Sequence, residues 1–434
     1  MNYHNLCQLI LNDYSESIGS NNPNKNKILT CLEWWLSDFT FFYKNFILKK
    51  NYKVENLKNI NIHHFLSKNE SKSEVILKRD SNYLKVFFLS LFSNIFLNNN
   101  IYLTISKSLI GKINYFFSAF LFKNIINNRD FNIEAKRNFL KLISKYSNKD
   151  KKFINSISYL FPDVFFSKSI SPYKEKEYNI ICSPILFISN IYFIKVFFST
   201  KKINVLGFQH GSIYGFIKKN KIENFEKKIS DKFFYWNNNF PITRFEYNKF
   251  PKFQNLNSIK YLVIGEPKIS NYLADSIDGI NNFYSNNEVI NKICSFFKKN
   301  KLDYGFIKYP NTEYNLEHIN LIKLKYKIEN YIDPNFHVLV FTNPLSTLIF
   351  YALKNNIPFV IISPKLIQKK LTNYFYEFLK NLISLKLFFL EDEINNFYEE
   401  ILNLNIYENY KAKKNALAKK FNYQNLNINE YVFK

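Results

Sequence analysis

Three short stretches carry side chains able to do chemistry at a turn. In Asn204-Val-Leu-Gly-Phe-Gln-His-Gly-Ser-Ile-Tyr-Gly215 an apolar run breaks off into Gln209, His210 and Gly211. An imidazole with an ordinary pKa of about 6.5 can accept a proton near neutrality, which makes His210 a candidate general base. The same side chain could instead cap the strand and tie a neighbouring loop, and the residues alone leave both roles open. In Lys308-Tyr309-Pro310 a cation and a φ-locked proline follow an apolar run, where the lysine can meet a phosphate. In Phe341-Thr-Asn-Pro-Leu-Ser-Thr347 the chain turns from an apolar run into a helical pattern. Asn343, Ser346, Thr347 and the nearby backbone N–H groups would then lie at a helix N-terminus, a ready anion site. Ordinary N-capping uses the same residue types.

Each stretch needs a strand to deliver it. The chain has 8 Gly in 434 residues, yet Gly207, Gly211 and Gly215 recur at steps of four, so the backbone there requires positive φ or a close approach. In open α/β sheets ligands bind beyond the C-terminal ends of strands, which is where His210 would sit. The pattern predicts a strand at Ile180–Cys182, a helix at Pro184–Phe198 and a strand at Ile203–Phe208, one βαβ unit of a parallel sheet. Ile229–Trp236 reads as a further strand carrying Asp231. Residues 241–257, which contain Pro241 and Pro251, read as a linker between an N-terminal domain over 1–240 and a C-terminal domain over 258–434. In the second domain strands are expected at Ser258–Gly265, Tyr304–Lys308, His337–Phe341 and Ile357–Ile362. A helix is expected at Val289–Lys299 and at Leu345–Leu353, and one or two helices over Lys365–Leu385. The fold class is therefore α/β, with Rossmann-like parallel sheets and extra N-terminal helices.

Apolar residues make up 47% and aromatic residues 19% of the chain, far from the composition of a disordered protein. The net charge of +25 favours an anionic partner: a nucleotide-activated substrate, nucleic acid or an anionic membrane surface. The lysines are dispersed and no nucleic-acid module is recognisable, so nucleic acid is not an expected partner. Cys7, Cys31, Cys182 and Cys294 form no CxxC pair, which points away from a zinc site or a disulfide framework and fits a reducing cytoplasm. The N-terminus lacks the pattern of a signal peptide. Leu84–Leu97 and Ile113–Ile126 are too short to span a bilayer, and Asn179–Thr200 is better read as the βαβ unit. No acidic cluster has metal-ligand spacing, and no metal or other cofactor is expected.

Gln209-His210-Gly211 with Tyr214-Gly215, Ser230-Asp231, Gly265-Glu266-Pro267, Asp303-Tyr-Gly305 leading to Lys308-Tyr309-Pro310, and the Thr342–Thr347 turn resemble the transferases of bacterial surface-carbohydrate clusters. Those are similar to GT-B glycosyltransferases for capsule and sialic-acid-type sugars, and more distantly to CDP-glycerol glycerophosphotransferases. The resemblance spans roughly residues 175–400 and rests on the order of short motifs. It implies a GT-B fold with two Rossmann-like domains facing a central crevice, acceptor on the N-terminal side and activated donor on the C-terminal side. In sialyltransferase-like members a His-Pro and a Ser-Ser/Thr motif hold the CMP of the donor. Pro310 and Ser346-Thr347 match these, whereas Tyr309 replaces the histidine and an acidic-acidic-Gly motif is missing. His210-Gly211 matches the His-Gly of the glycerophosphotransferase-like members. The implied function is metal-independent transfer of a nonulosonate or Kdo from a CMP-linked donor to a glycan or glycolipid hydroxyl, in the cytoplasm or peripherally at the inner face of the cytoplasmic membrane. In it Gln209, Gly211, Tyr214 and Asp231 lie in acceptor-side loops. Gly265, Glu266, Lys308, Tyr309, Pro310, Asn343, Ser346 and Thr347 lie on the donor side. A CDP-polyol transferase and a non-catalytic membrane-peripheral subunit are the alternatives.

Overall fold

Short apolar runs become nine parallel-paired strands among the described residues of the computed structural model. The structure describes residues 3–18, 21–51, 53, 62, 100–102, 130–168, 178–185, 187, 190–209, 214–218, 220–234, 259–265, 279–307, 338–354, 357–364, 371–403 and 409–420. The strands are β1 (Asn100–Tyr102), β2 (Tyr178–Cys182), β3 (Ile203–Phe208), β4 (Lys232–Phe234), β5 (Lys260–Ile264), β6 (Asp303–Ile307), β7 (Val338–Phe341), β8 (Phe359–Ser363) and β9 (Phe388–Leu390). The α-helices are α1 (Tyr3–Ser17), α2 (Lys25–Phe42), α3 (Ile133–Ser144), α4 (Lys151–Leu160), α5 (Lys221–Ile229), α6 (Gly279–Lys299), α7 (Thr347–Lys354), α8 (Asn373–Ser384), α9 (Ile394–Leu402) and α10 (Tyr410–Lys420). Two compact units divide the chain, Met1–His210 with Lys221–Phe234, and Gly211–Asn220 with Tyr235–Lys434. No described helix is long and apolar enough to cross a membrane.

Unit 1 carries a four-stranded parallel sheet in the order β1-β2-β3-β4. Aromatic packing organises its helices. The Tyr14 ring of α1 is fully buried among Phe139 at 5.4 Å, Phe165 at 5.9 Å and Phe166 at 5.6 Å, and its hydroxyl donates to the Phe165 carbonyl. Polar contacts then tie α2 to the sheet. Asn24, just before α2, accepts from the Ile203 N–H at 2.8 Å and donates to the Lys201 carbonyl at 2.9 Å, so it fixes the start of β3.

Two local readings of this unit change. Within the expected helix Pro184–Phe198, Pro184 and Ile185 form a turn, Phe187 is helical, residues 186, 188 and 189 lie outside the described residues, and Ile191–Phe198 is a 3-10 helix opened by Asn190, whose side chain accepts from the Tyr192 N–H. A run of aromatic and β-branched residues has modest α-helical propensity, and Asn190 offers the backbone a new start. The expected strand Ile229–Trp236 begins only at Lys232, because Ile229 ends α5. Ile222, Phe225, Glu226 and Ile229 are all buried at steps of three and four, the inward stripe of an amphipathic helix.

Unit 2 carries a five-stranded parallel sheet in the order β6-β5-β7-β8-β9. Its strands are buried on both faces, as in a doubly wound sheet. Leu262, Ile264, Leu339 and Phe341 face one core with residues of α7, α8 and α10. Tyr261, Val263, Val338 and Val340 face the other with residues of α6 and α9. Helices therefore cover both sides of a Rossmann-like α/β sandwich.

Candidate functional site

Strand order decides where a ligand can enter unit 2. Taken in chain order from β5, the sheet runs second, first, third, fourth, fifth, so the order reverses between β5 and β7, with α6, after β5, on one face and α7, after β7, on the other. At such a switch point the segments leaving the two central strands diverge and open a crevice at their C-terminal ends. Register puts Ile264 beside both Ile307 and Phe341, so Gly265, which follows Ile264, and Thr342, which follows Phe341, leave the sheet side by side. Gly265 is buried and donates its N–H to the Ile307 carbonyl at 2.8 Å. Thr342 is fully buried.

The turn into α7 is built by its own side chains. The Asn343 side-chain oxygen accepts from the Leu345 N–H at 2.9 Å, and its carbonyl accepts from the Ser346 N–H at 3.2 Å. The Ser346 carbonyl takes the Ile349 N–H at 3.2 Å, and Thr347 opens the helix. Asn343 thus works first as the builder of the turn, with Ser346 buried behind it. The structure brings Gly265, Asn343, Ser346 and the start of α7 to one edge of one sheet. Glu266, Lys308, Tyr309 and Pro310 lie outside the described residues; β6 ends at Ile307 on this same edge.

In unit 1 the matching edge is formed by β2, β3 and β4. Gln209 is buried and donates its N–H to the Phe234 carbonyl at 3.0 Å, while the Phe208 and Phe234 rings stack at 4.9 Å. His210 and Gly211 lie outside the described residues. Gly207 is a position of close approach: a Cβ there would stand 2.1 Å from Ser230 Oγ and 2.8 Å from Phe233 Cδ2. Gly215 has φ +72°, the left-handed backbone that glycine favours.

Asp231 sits elsewhere. It precedes β4, whose Lys232 pairs with Leu206, so it lies at the N-terminal edge of the sheet, and Gln209 at the other. One carboxylate oxygen is 2.9 Å and the other 3.0 Å from Lys27 Nζ, and the Val205 N–H donates to the carboxylate at 2.7 Å. This arrangement ties α2 to β3 and β4. Tyr214 is buried with unit 2, where the stretch Gly215–Ile217 docks on the start of α8. The Thr372 hydroxyl donates to the Gly215 carbonyl at 2.7 Å, its N–H to the Phe216 carbonyl at 2.8 Å, and Ile217 bridges Leu371. The Phe216 ring stacks on Phe375 at 4.4 Å.

Two supporting residues were not singled out in the sequence. Glu226, fully buried on α5, accepts from the Ile185 N–H at 3.0 Å and from Ser183 Oγ at 3.3 Å, and so holds the turn that leaves β2. Its signal was an acidic residue within the apolar stripe of a helix. Thr372 caps α8 by accepting from the Phe375 N–H at 3.3 Å, a threonine directly before a helical pattern. Burial, helped by the Glu226 carboxylate, raises the Cys182 thiol well above its ordinary value, and burial pushes the Cys294 thiol up to about 12. Neither is poised as a nucleophile. Among the described residues no three His, Cys, Asp or Glu side chains gather as a metal site. No known protein family, characterised protein or solved structure matches the chain.

Proposed function

We propose that the chain is a GT-B-like glycosyltransferase that moves a nonulosonate or Kdo from a CMP-activated donor to a hydroxyl of a surface glycan. The observation that supports this reading is the edge of unit 2 at which Gly265 and the Thr342–Thr347 turn leave neighbouring parallel strands at the switch point. A glycine lets backbone approach a phosphate closely, and the N–H groups opening α7 present positive potential to it. In this reading Lys308 adds a cation as the donor's sugar–phosphate bond breaks. His210 takes the acceptor hydroxyl proton as the new glycosidic bond forms. The GT-B fold belongs to the proposal, as does a location in the cytoplasm or peripherally at the inner membrane face.

Thermal-shift measurement against CMP, CDP, UDP and GDP tests it. A nucleotide at a hundred times its Kd stabilises by about 2.7 kcal/mol, a readable shift. CMP should give the largest effect. A response to CDP alone would transfer the reading to polyol-phosphate transfer, and a flat response to all four would remove the nucleotide site. If donor binding is found, His210→Ala should leave it intact while turnover drops by about 10²–10⁴-fold.

A further inference from the structure

The inward side of α10 is formed by residues 410, 413, 414 and 417, spaced three and four apart as a helix spaces its core-facing stripe. Tyr410 and Leu417 are 1% and 0% exposed in the core shared with α7 and α8, and the Tyr410 ring meets Phe359 edge-on at 5.8 Å. Between them the stripe carries two lysines. The Lys413 Nζ is buried and makes no hydrogen bond among the described residues, although an ammonium has three protons to donate. The charged groups acting on it are the Glu400 carboxylate on α9 and the Lys386 ammonium just before β9; Lys414 is its neighbour on α10. Glu400 is already engaged: nearly buried, it pairs directly with Lys386. Among the described residues a single carboxylate, Glu400, thus stands against the Lys386 and Lys413 ammonium groups, the second of them desolvated.

We propose that Lys413 makes α10 a charge-controlled clasp, held weakly on the sheet of unit 2 while the ammonium is charged and tightly once the charge is gone. Burying an ammonium without acceptors is unfavourable, and the helix can escape by releasing either the proton or its own docking. Burial lowers the Lys413 pKa, with Glu400 opposing and Lys386 adding to the fall; burial lowers Lys414 as well. The docked state therefore binds fewer protons than the released one. Docking strengthens as pH rises through the window below the ordinary lysine value of about 10.4, and its weakening is complete below the shifted value. One proton changes the docking equilibrium by at most about tenfold per pH unit.

Hydrogen exchange of the full chain from pH 7.5 to 10, corrected for the intrinsic rate, tests the clasp, with α8 as internal reference. Protection of α10 relative to α8 should rise several-fold with pH in the wild type. Lys413→Met should be more protected than wild type at pH 7.5 and flat with pH. Lys413→Arg, charged throughout, should stay weakly protected and flat. A wild type without a pH rise overturns the proposal, and so does a Lys413→Met variant that is no better protected at pH 7.5 or that keeps the rise.

Discussion

At the scale of the residue, the glycines and Asp231 separate close approach from chemistry. Gly207 leaves no room: Ser230, Phe233 and Pro184 all stand within 3.0 Å of the point that a methyl group there would occupy. Gly207→Ala should therefore destabilise the protein by about 1–3 kcal/mol, as overpacking does, and urea denaturation measures it. A neutral result would mean that the Phe233 ring shifts freely. Asp231 is the sharper case because its carboxylate joins Lys27 to the Val205 N–H. Asp231→Asn should keep an acceptor for Val205 but leave Lys27 without its counter-charge, which costs about 1–3 kcal/mol for a hydrogen bond to a charged group. The loss should appear in the denaturation midpoint, with nucleotide response unchanged. A variant with full stability and lost turnover would return Asp231 to the chemistry.

At the scale of the element, what could be read from the sequence followed burial. The strands of unit 2 are continuous apolar runs because both faces are covered, so Lys260–Ile264, Asp303–Ile307, Val338–Phe341 and Phe359–Ser363 lie within a residue or two of their expected spans. Residues 229–231 misled because Ile229 belongs to a helix whose stripe includes the buried Glu226, and an acidic residue in a core stripe hides the period. Asn343, Ser346 and Thr347 were legible as a strand-to-helix turn, but their division of labour depends on hydrogen bonds that spacing does not encode. Thr372 is the element-scale test. It caps α8 and also holds Gly215, so Thr372→Val should lower stability by about 1 kcal/mol through the cap and quicken proteolysis within residues 211–220. Normal proteolysis there would show that Phe216 alone suffices to dock the segment.

At the scale of the whole molecule, charge is the most general determinant of encounter. With +25 net charges the chain should bind vesicles containing anionic lipid at low ionic strength and leave them near 0.5 M salt, where screening shortens to about 4 Å; co-sedimentation reads this directly. Binding that survives high salt would point to apolar insertion instead. Connectivity has a different consequence. Because residues 211–220 count with unit 2 while the residues on either side count with unit 1, the chain passes between the units three times. A gene divided at codon 235 would thus yield two polypeptides that are not two domains. The first would carry Phe216, a piece of its partner's core, and the second would fold around the gap that Phe216 leaves. Such halves should be poorly soluble apart and recover by complementation when made together.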